Sequence, residues 1–199
     1  MFLEAVALGL FIGGFKGGRL TNIIDMNIRG WYLIILSLFL SMSPIFLRNF
    51  DNITNTSVML MFFSMVILLV VLILNLDKKG VWLVLVGGLF NVAIMAFNAF
   101  KMPVMMSGLE GAGMTSLIEG LADGSIINYV ASEATGAMQV FTKFIIVPKP
   151  YPFPKILTIG DIMMSIGMLW MIVGEMMRPS YSGRGKMVQF SYGSAIKRR

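Results

Sequence analysis

The sequence predicts an all-α fold: a polytopic membrane bundle of five transmembrane helices with a helical outer loop. Three observations predict it. Of 199 residues, 57% are hydrophobic and only 13% charged, about half the charged share of a soluble domain. Five apolar segments recur along the chain, most of them near the roughly 20 residues that one helical crossing needs. Basic residues gather on alternate connections, the pattern that orients membrane helices. The chain has no cysteine and no histidine. That removes disulfides, thiolate chemistry, Cys/His zinc sites, histidine-ligated haem and the commonest general base. No cofactor and no metal is implied.

The first span is residues 2–15. Fourteen residues cover about 21 Å at 1.5 Å per residue, against about 30 Å of hydrocarbon. Either the helix continues through Gly17 and Gly18 with Lys16 snorkelling to the headgroups, or it does not cross and the count falls to four. Its basic residues follow the apolar run and no small-residue cleavage site is visible, unlike a cleaved signal peptide. The second span is 31–47. The third, 57–76, reads "SVMLMFFSMVILLVVLILNL" and is apolar on every face. The fourth is 81–100 and the fifth 156–177.

Lys16, Arg19, Arg29, Lys78, Lys79 and the basic residues from Arg178 onward fall on one side. Arg48, Lys101, Lys143, Lys149 and Lys155 fall on the other. The heavier side marks the cytoplasm, so the amino terminus is expected outside and the carboxyl terminus inside. Residues 1–178 form the membrane domain. Residues 179–199 form a Gly/Ser-rich basic tail held near anionic lipid. The excess of 16 basic over 10 acidic residues reads as that attraction, with no nucleic acid implied. The triplets "NIT" and "NTS" at 52–57 are glycosylation acceptors only if the source glycosylates.

The outer loop, 101–155, carries most of the non-membrane sequence. "SLIE" at 116–119 predicts a capping box opening a short helix that Gly124 stops. Ser125 is expected to cap a second helix over 126–146, whose imperfect apolar stripe suits the membrane surface. "VPKPYPFPK" predicts a stiff polyproline strap into the last span.

The fourth span carries the sequence's oddest feature. At 100° per residue, Gly87, Gly88, Asn91, Met95, Asn98 and Met102 fall within about 60° of Asn91, with Lys101 at the edge. Glycines admit a neighbouring backbone and amides pair across helices, so this is a protein-facing stripe. It reads as inter-helix glue, or as a polar pocket in which Asn91, Asn98 and Lys101 offer donors to a ligand. Partners for it are available. Gly9, Gly13 and Gly17 stand at four-residue intervals in and just after the first span. Gly160, Gly167 and Gly174 stand at seven-residue intervals in the last. Asp161 lies beside that second ridge. It is expected to pair with Lys101 or Lys155, to cap its own helix, or to act as a titrating or cation-binding carboxylate.

No Walker loop or nucleophile–base pair is visible, and the scattered methionines suit adaptable packing more than copper. As an enzyme the chain would have only Lys101, Tyr151, Asp161 and Glu175 to draw on. The segments "GGRLTN" (17–22), "GGLFN" (87–91), "NAFKMPV" (98–104) and "TIGDIMMSIG" (158–167) together resemble a family of small bacterial membrane proteins defined only as a domain of unknown function. Where that pattern often has Asn-Gly-Gly, this chain has Asn98-Ala99-Phe100. The resemblance implies a bacterial source and a multi-span fold, and no activity. The expectation is a small, non-catalytic accessory subunit or partner-binding component of a complex in the bacterial inner membrane. It would sit in the lipid bilayer against a membrane-protein partner or a second copy. The alternative is a binder or carrier of a small molecule or lipid headgroup, with a pocket of Asn91, Asn98, Lys101 and Asp161.

Overall fold

The computed structural model describes residues 1–47, 54–133, 136–148, 151–152 and 154–179. Arg48, the triplet beginning at Asn52, Lys149 and the tail from Ser180 lie outside the described residues.

The chain is mostly helical. Five apolar helices carry it: α1 (Phe2–Phe15), α3 (Trp31–Ser41), α5 (Thr54–Leu74), α6 (Val81–Phe97) and α9 (Ile159–Met176). Short helices α2 (Thr21–Ile24) and α4 (Ser43–Phe46) flank α3. Two of the five, α5 and α9, are long and apolar enough to cross a membrane. The others are shorter than their sequence segments, for identifiable reasons. α1 does not continue past Phe15, because Gly17 takes φ +77°. The Gly18 N–H then bonds the Gly13 carbonyl at 2.8 Å and the Gly17 N–H the Gly14 carbonyl at 3.0 Å, a Schellman closure. The 31–47 segment breaks at Met42, since Pro44 has no N–H for the Leu40 carbonyl. α6 stops at Phe97, short of residue 100, and Asn98 donates its side-chain amide to the freed Ile94 carbonyl at 2.7 Å.

The large helices pack in a row, α1–α9–α6–α5–α3. Glycine sets two of its seams. A Cβ at Gly9 would stand 3.1 Å from Ile172 of α9, and one at Gly18 2.7 Å from Met176. Gly13 faces Met176 as well, whereas Gly17 and Gly14 meet nothing. At the α6–α9 seam a Cβ at Gly87 would lie 2.5 Å from the Gly160 carbonyl, and one at Gly167 2.7 Å from the Val84 nitrogen. Gly174 packs on the Lys79 stem and Gly88 on Leu69 of α5. So α9 sits between α1 and α6, and the Gly87 and Asn91 part of the amide stripe faces α9, not α1. At the α3–α5 seam serines take over. Ser37 donates to the Ser64 carbonyl at 2.9 Å, and just beyond α3 Ser43 of α4 donates to the Ser57 carbonyl at 3.2 Å.

One end of the row gathers residues 16–30, 74–80 and 176–178. Arg19 N–H and the Asn22 amide bond the Met176 carbonyl, at 2.9 and 3.0 Å. Arg29 meets Asp77 at 3.3 Å. Buried Asn75 ties the two turns together. Its oxygen accepts from the Arg29 N–H (3.0 Å) and Lys78 (2.8 Å), and its nitrogen donates to the Arg29 and Val71 carbonyls, both at 2.8 Å.

The other end is a cap, and it departs from the expected helices. α7 (Met106–Gly111) and α8 (Thr115–Ala122) are present. However, α8 starts one residue before Ser116, so no Ser116–Glu119 capping box forms. The described residues of 126–146 do not form the expected helix. They contain β2 (Tyr129–Ser132), a 3-10 turn (Gly136–Phe141) and the start of β3 (Ile145–Val147). β2 runs parallel to β1 (Met102–Met105), pairing Met102 with Tyr129. β3 pairs antiparallel with β4 (Lys155–Leu157). The strands on either side of the expected strap therefore run in opposite directions. Partners distant in sequence override the local helical period here. Val104, Leu109, Ala112 and Ile156 form the cap's own core.

Candidate functional site

The site begins where α9 does. Thr158 caps the helix: its Oγ1 accepts from Asp161 N–H at 2.9 Å, and Asp161 Oδ2 accepts from Thr158 N–H at 3.1 Å. The helix-capping role expected for Asp161 is thus met by a reciprocal capping box. Gly160 and Gly87 bring α6 so close that Asn91 reaches across. Its amide nitrogen donates to Asp161 Oδ1 at 2.9 Å, and its oxygen accepts from Thr158 Oγ1 at 2.7 Å. Thr158 is fully buried and Asn91 is 4% exposed. Ser165, one turn on, donates to the Asp161 carbonyl at 2.8 Å.

The cation at Asp161 is neither Lys101 nor Lys155. It is Lys143, whose Nζ lies 2.8 Å from Asp161 Oδ2. Backbone pairing delivers it: Lys143 N–H bonds the Pro103 carbonyl at 2.9 Å, and its carbonyl accepts from Met105 N–H at 3.2 Å. Its ammonium also lies 5.9 Å from the centre of the Tyr129 ring. Both charged side chains are largely buried, 16% and 13% exposed. Burying charge costs several kcal/mol per ion unless remaining lone pairs are filled. Asp161 meets that condition with donors from Asn91, Lys143 and the Thr158 N–H.

These groups stand at one end of a cavity of about 380 Å³ between α3, α5 and α6. Its walls are mainly apolar, with Ile34, Leu38, Met61, Met65, Leu68 and Met95, and Ser37, Ser41 and Ser64 are set among them. Asn128 and Tyr129 join Asn91, Lys143 and Asp161 at the polar end. An apolar cleft with a few convergent polar groups is how small-molecule sites are built, and the volume lies within their usual range of about 300–1,000 Å³.

Of the four residues the sequence marks for binding, the structure brings Asn91 and Asp161 together. Asn98 is turned away. It lines a separate cavity of about 520 Å³ with Phe90, Phe97, Pro103, Met138 and Phe141. Lys101 follows the α6 turn and, among the described residues, joins neither cavity. The groups considered for an enzyme do not converge either. Glu175 pairs with Arg178 at 3.6 Å at the far end of α9. Tyr151 donates to Glu4 at 2.6 Å, and Lys155 pairs with the same carboxylate, tying the start of α1 to the cap. That hydrogen bond to Glu4 raises the Tyr151 hydroxyl pKa above the ordinary phenol value.

Residues 25–173 match DUF5317, a family of unknown function. The chain belongs to that family. The match takes in the Asn91, Lys143 and Asp161 positions and leaves out "GGRLTN" at 17–22. No curated protein and no solved structure matches the chain.

Proposed function

We propose that this DUF5317 chain is a multi-pass protein of a bacterial inner membrane that binds a small amphipathic molecule. The cleft carries the reading: one wall of methionine, leucine and isoleucine, and one end holding a buried Lys143–Asp161 pair braced by Asn91. Family membership itself names no activity.

Support for the membrane comes from the surface. Leu3, Phe11, Leu38, Phe39, Phe63, Leu89 and Trp170 on all five large helices are exposed, far more apolar area than a soluble monomer leaves in water. Support for five spans, amino terminus out, comes from the two ends of the row. Lys16, Arg19, Arg29, Lys78, Lys79 and Arg178 belong to one end, and Lys101, Lys143 and Lys155 to the other. The two longest helices suit a bilayer directly, and the shorter three cross it through local thinning and snorkelling.

The test is native mass spectrometry of the chain released from nanodiscs, beside Met65→Trp, which fills the cleft. A defined small molecule on the wild type, absent from the variant, is the expected result. An empty chain with a stoichiometric protein partner would instead favour the accessory-subunit reading.

A further inference from the structure

Resting on that reading, we infer that the cleft selects an uncharged amphiphile: a single apolar chain ending in a compact head of hydrogen-bond acceptors, such as ester carbonyls or hydroxyls.

Charge comes first. Lys143 and Asp161 neutralise each other at 2.8 Å inside the site. An anionic head would gain Lys143 only by facing Asp161, and a cationic head would meet the converse. At low dielectric, taking another unpaired charge into such a place is costly. A neutral head avoids both penalties.

Hydrogen bonding then sets the head's polarity. Asp161 already accepts from Asn91, Lys143 and Thr158 N–H. Lys143 has three donors and gives Asp161 one of them. The Asn128 side-chain amide has no protein partner among the described residues, and it lines the same end. Down the wall, Ser37, Ser41 and Ser64 spend their hydroxyl protons on the carbonyls of Ser64, Leu38 and Met61. Free donors are therefore concentrated beneath the cap, where they meet acceptors on a head.

Shape sets the rest. The cavity wall includes Leu38 and Leu68, which are also exposed on the outer surface of α3 and α5. The cleft therefore opens sideways, toward the space lipid chains fill. Its 380 Å³ lies near the small end of ligand sites and suits one chain.

The test uses four probes with one chain length: 1-monolauroylglycerol, laurate, dodecyltrimethylammonium and dodecane. Each is titrated onto the full chain in nanodiscs and read by native mass spectrometry. The wild type should hold monolauroylglycerol about tenfold more tightly than either ion. Asp161→Asn leaves Lys143 unbalanced and should move the preference to laurate. Lys143→Met should move it to dodecyltrimethylammonium. Asn128→Ala, which breaks no side-chain hydrogen bond among the described residues, should weaken monolauroylglycerol about fivefold, a loss of one hydrogen bond, and leave the charge order unchanged. A wild type that prefers either ion, or charge variants that keep the wild-type order, would overturn the ligand class while leaving the cleft as a binding site. Binding of dodecane alone would overturn the class in the same way. If no probe binds, the binding function itself falls.

Discussion

Asn75 and Asn91 are equally buried, each 4% exposed, and they hold opposite ends of the bundle in different ways. Asn75 bonds mainly to backbone, taking the Arg29 N–H and the Arg29 and Val71 carbonyls, with Lys78 as its one side-chain partner. Asn91 bonds only to side chains: Asp161, Thr158 and, more weakly, the Met164 sulfur at 3.7 Å. The first arrangement fixes the path of two turns and leaves nothing to offer a ligand. The second orients a carboxylate at the edge of a cavity. Burial of an amide therefore says little about its role. The kind of partner says more.

Replacing each asparagine by leucine should separate the roles. Asn75→Leu strands the Arg29 N–H and carbonyl and an almost fully buried Lys78, so the loss should be the largest, about 3 kcal/mol. Unfolding in a mild detergent would measure it, and ligand retention by the folded fraction should not change. Equal stability in variant and wild type would mean that water replaces the amide there. Next comes Gly87→Ala. A Cβ there lies 2.5 Å from the Gly160 carbonyl, so α6 and α9 must part, at about 2 kcal/mol. That motion also pulls Asn91 from Asp161, so stability and ligand retention should fall together. Asn91→Leu should cost less stability, about 1–2 kcal/mol, because Asp161 keeps Lys143 and the Thr158 N–H. It should nevertheless lose most of the bound ligand. Asn91→Leu with full ligand occupancy would reduce Asn91 to the same bracing role as Asn75.

The two ends also differ in how far the sequence reveals them. The glycine ridge of α9 is visible because Gly160, Gly167 and Gly174 keep one spacing, and Gly87 keeps the phase of its partner helix. Asn91 and Asp161 stand out for the same reason: each is a polar group on a face that a regular period defines. Lys143 does not stand out. It reaches Asp161 through a bridge to Val104, and no period within 126–146 encodes a partner almost forty residues away. The segment "FTKFIIV" at 141–147, rich in aromatic and β-branched residues, is the one local sign of strand there. Asn98 misleads because the helical wheel assumes a helix to residue 100, while α6 ends at Phe97 and the stripe ends with it. Asn75 escapes notice because its one distant partner, Arg29, belongs to a loop that only the tertiary fold brings near.

The smallest effect belongs to the turn that ends the stripe. Ala99 and Phe100 take left-handed φ, 51° and 65°. That conformation costs a residue with a Cβ roughly 1–2 kcal/mol. Phe100 offsets the cost by packing its ring 4.7 Å from Phe62, inside the cluster around Met95 and Met102. Ala99 has no such anchor in that cluster. Ala99→Gly should therefore stabilise the chain, by about 0.5–1 kcal/mol once the entropy glycine adds to the unfolded chain is subtracted. Phe100→Gly should destabilise it, since relief of strain does not replace the packing of a half-buried ring. Opposite signs from adjacent residues, measured in one unfolding experiment, would locate the hold on this turn in the Phe62–Phe100 contact. Two gains would instead make the turn a strained hinge between α6 and the cap that carries Lys143.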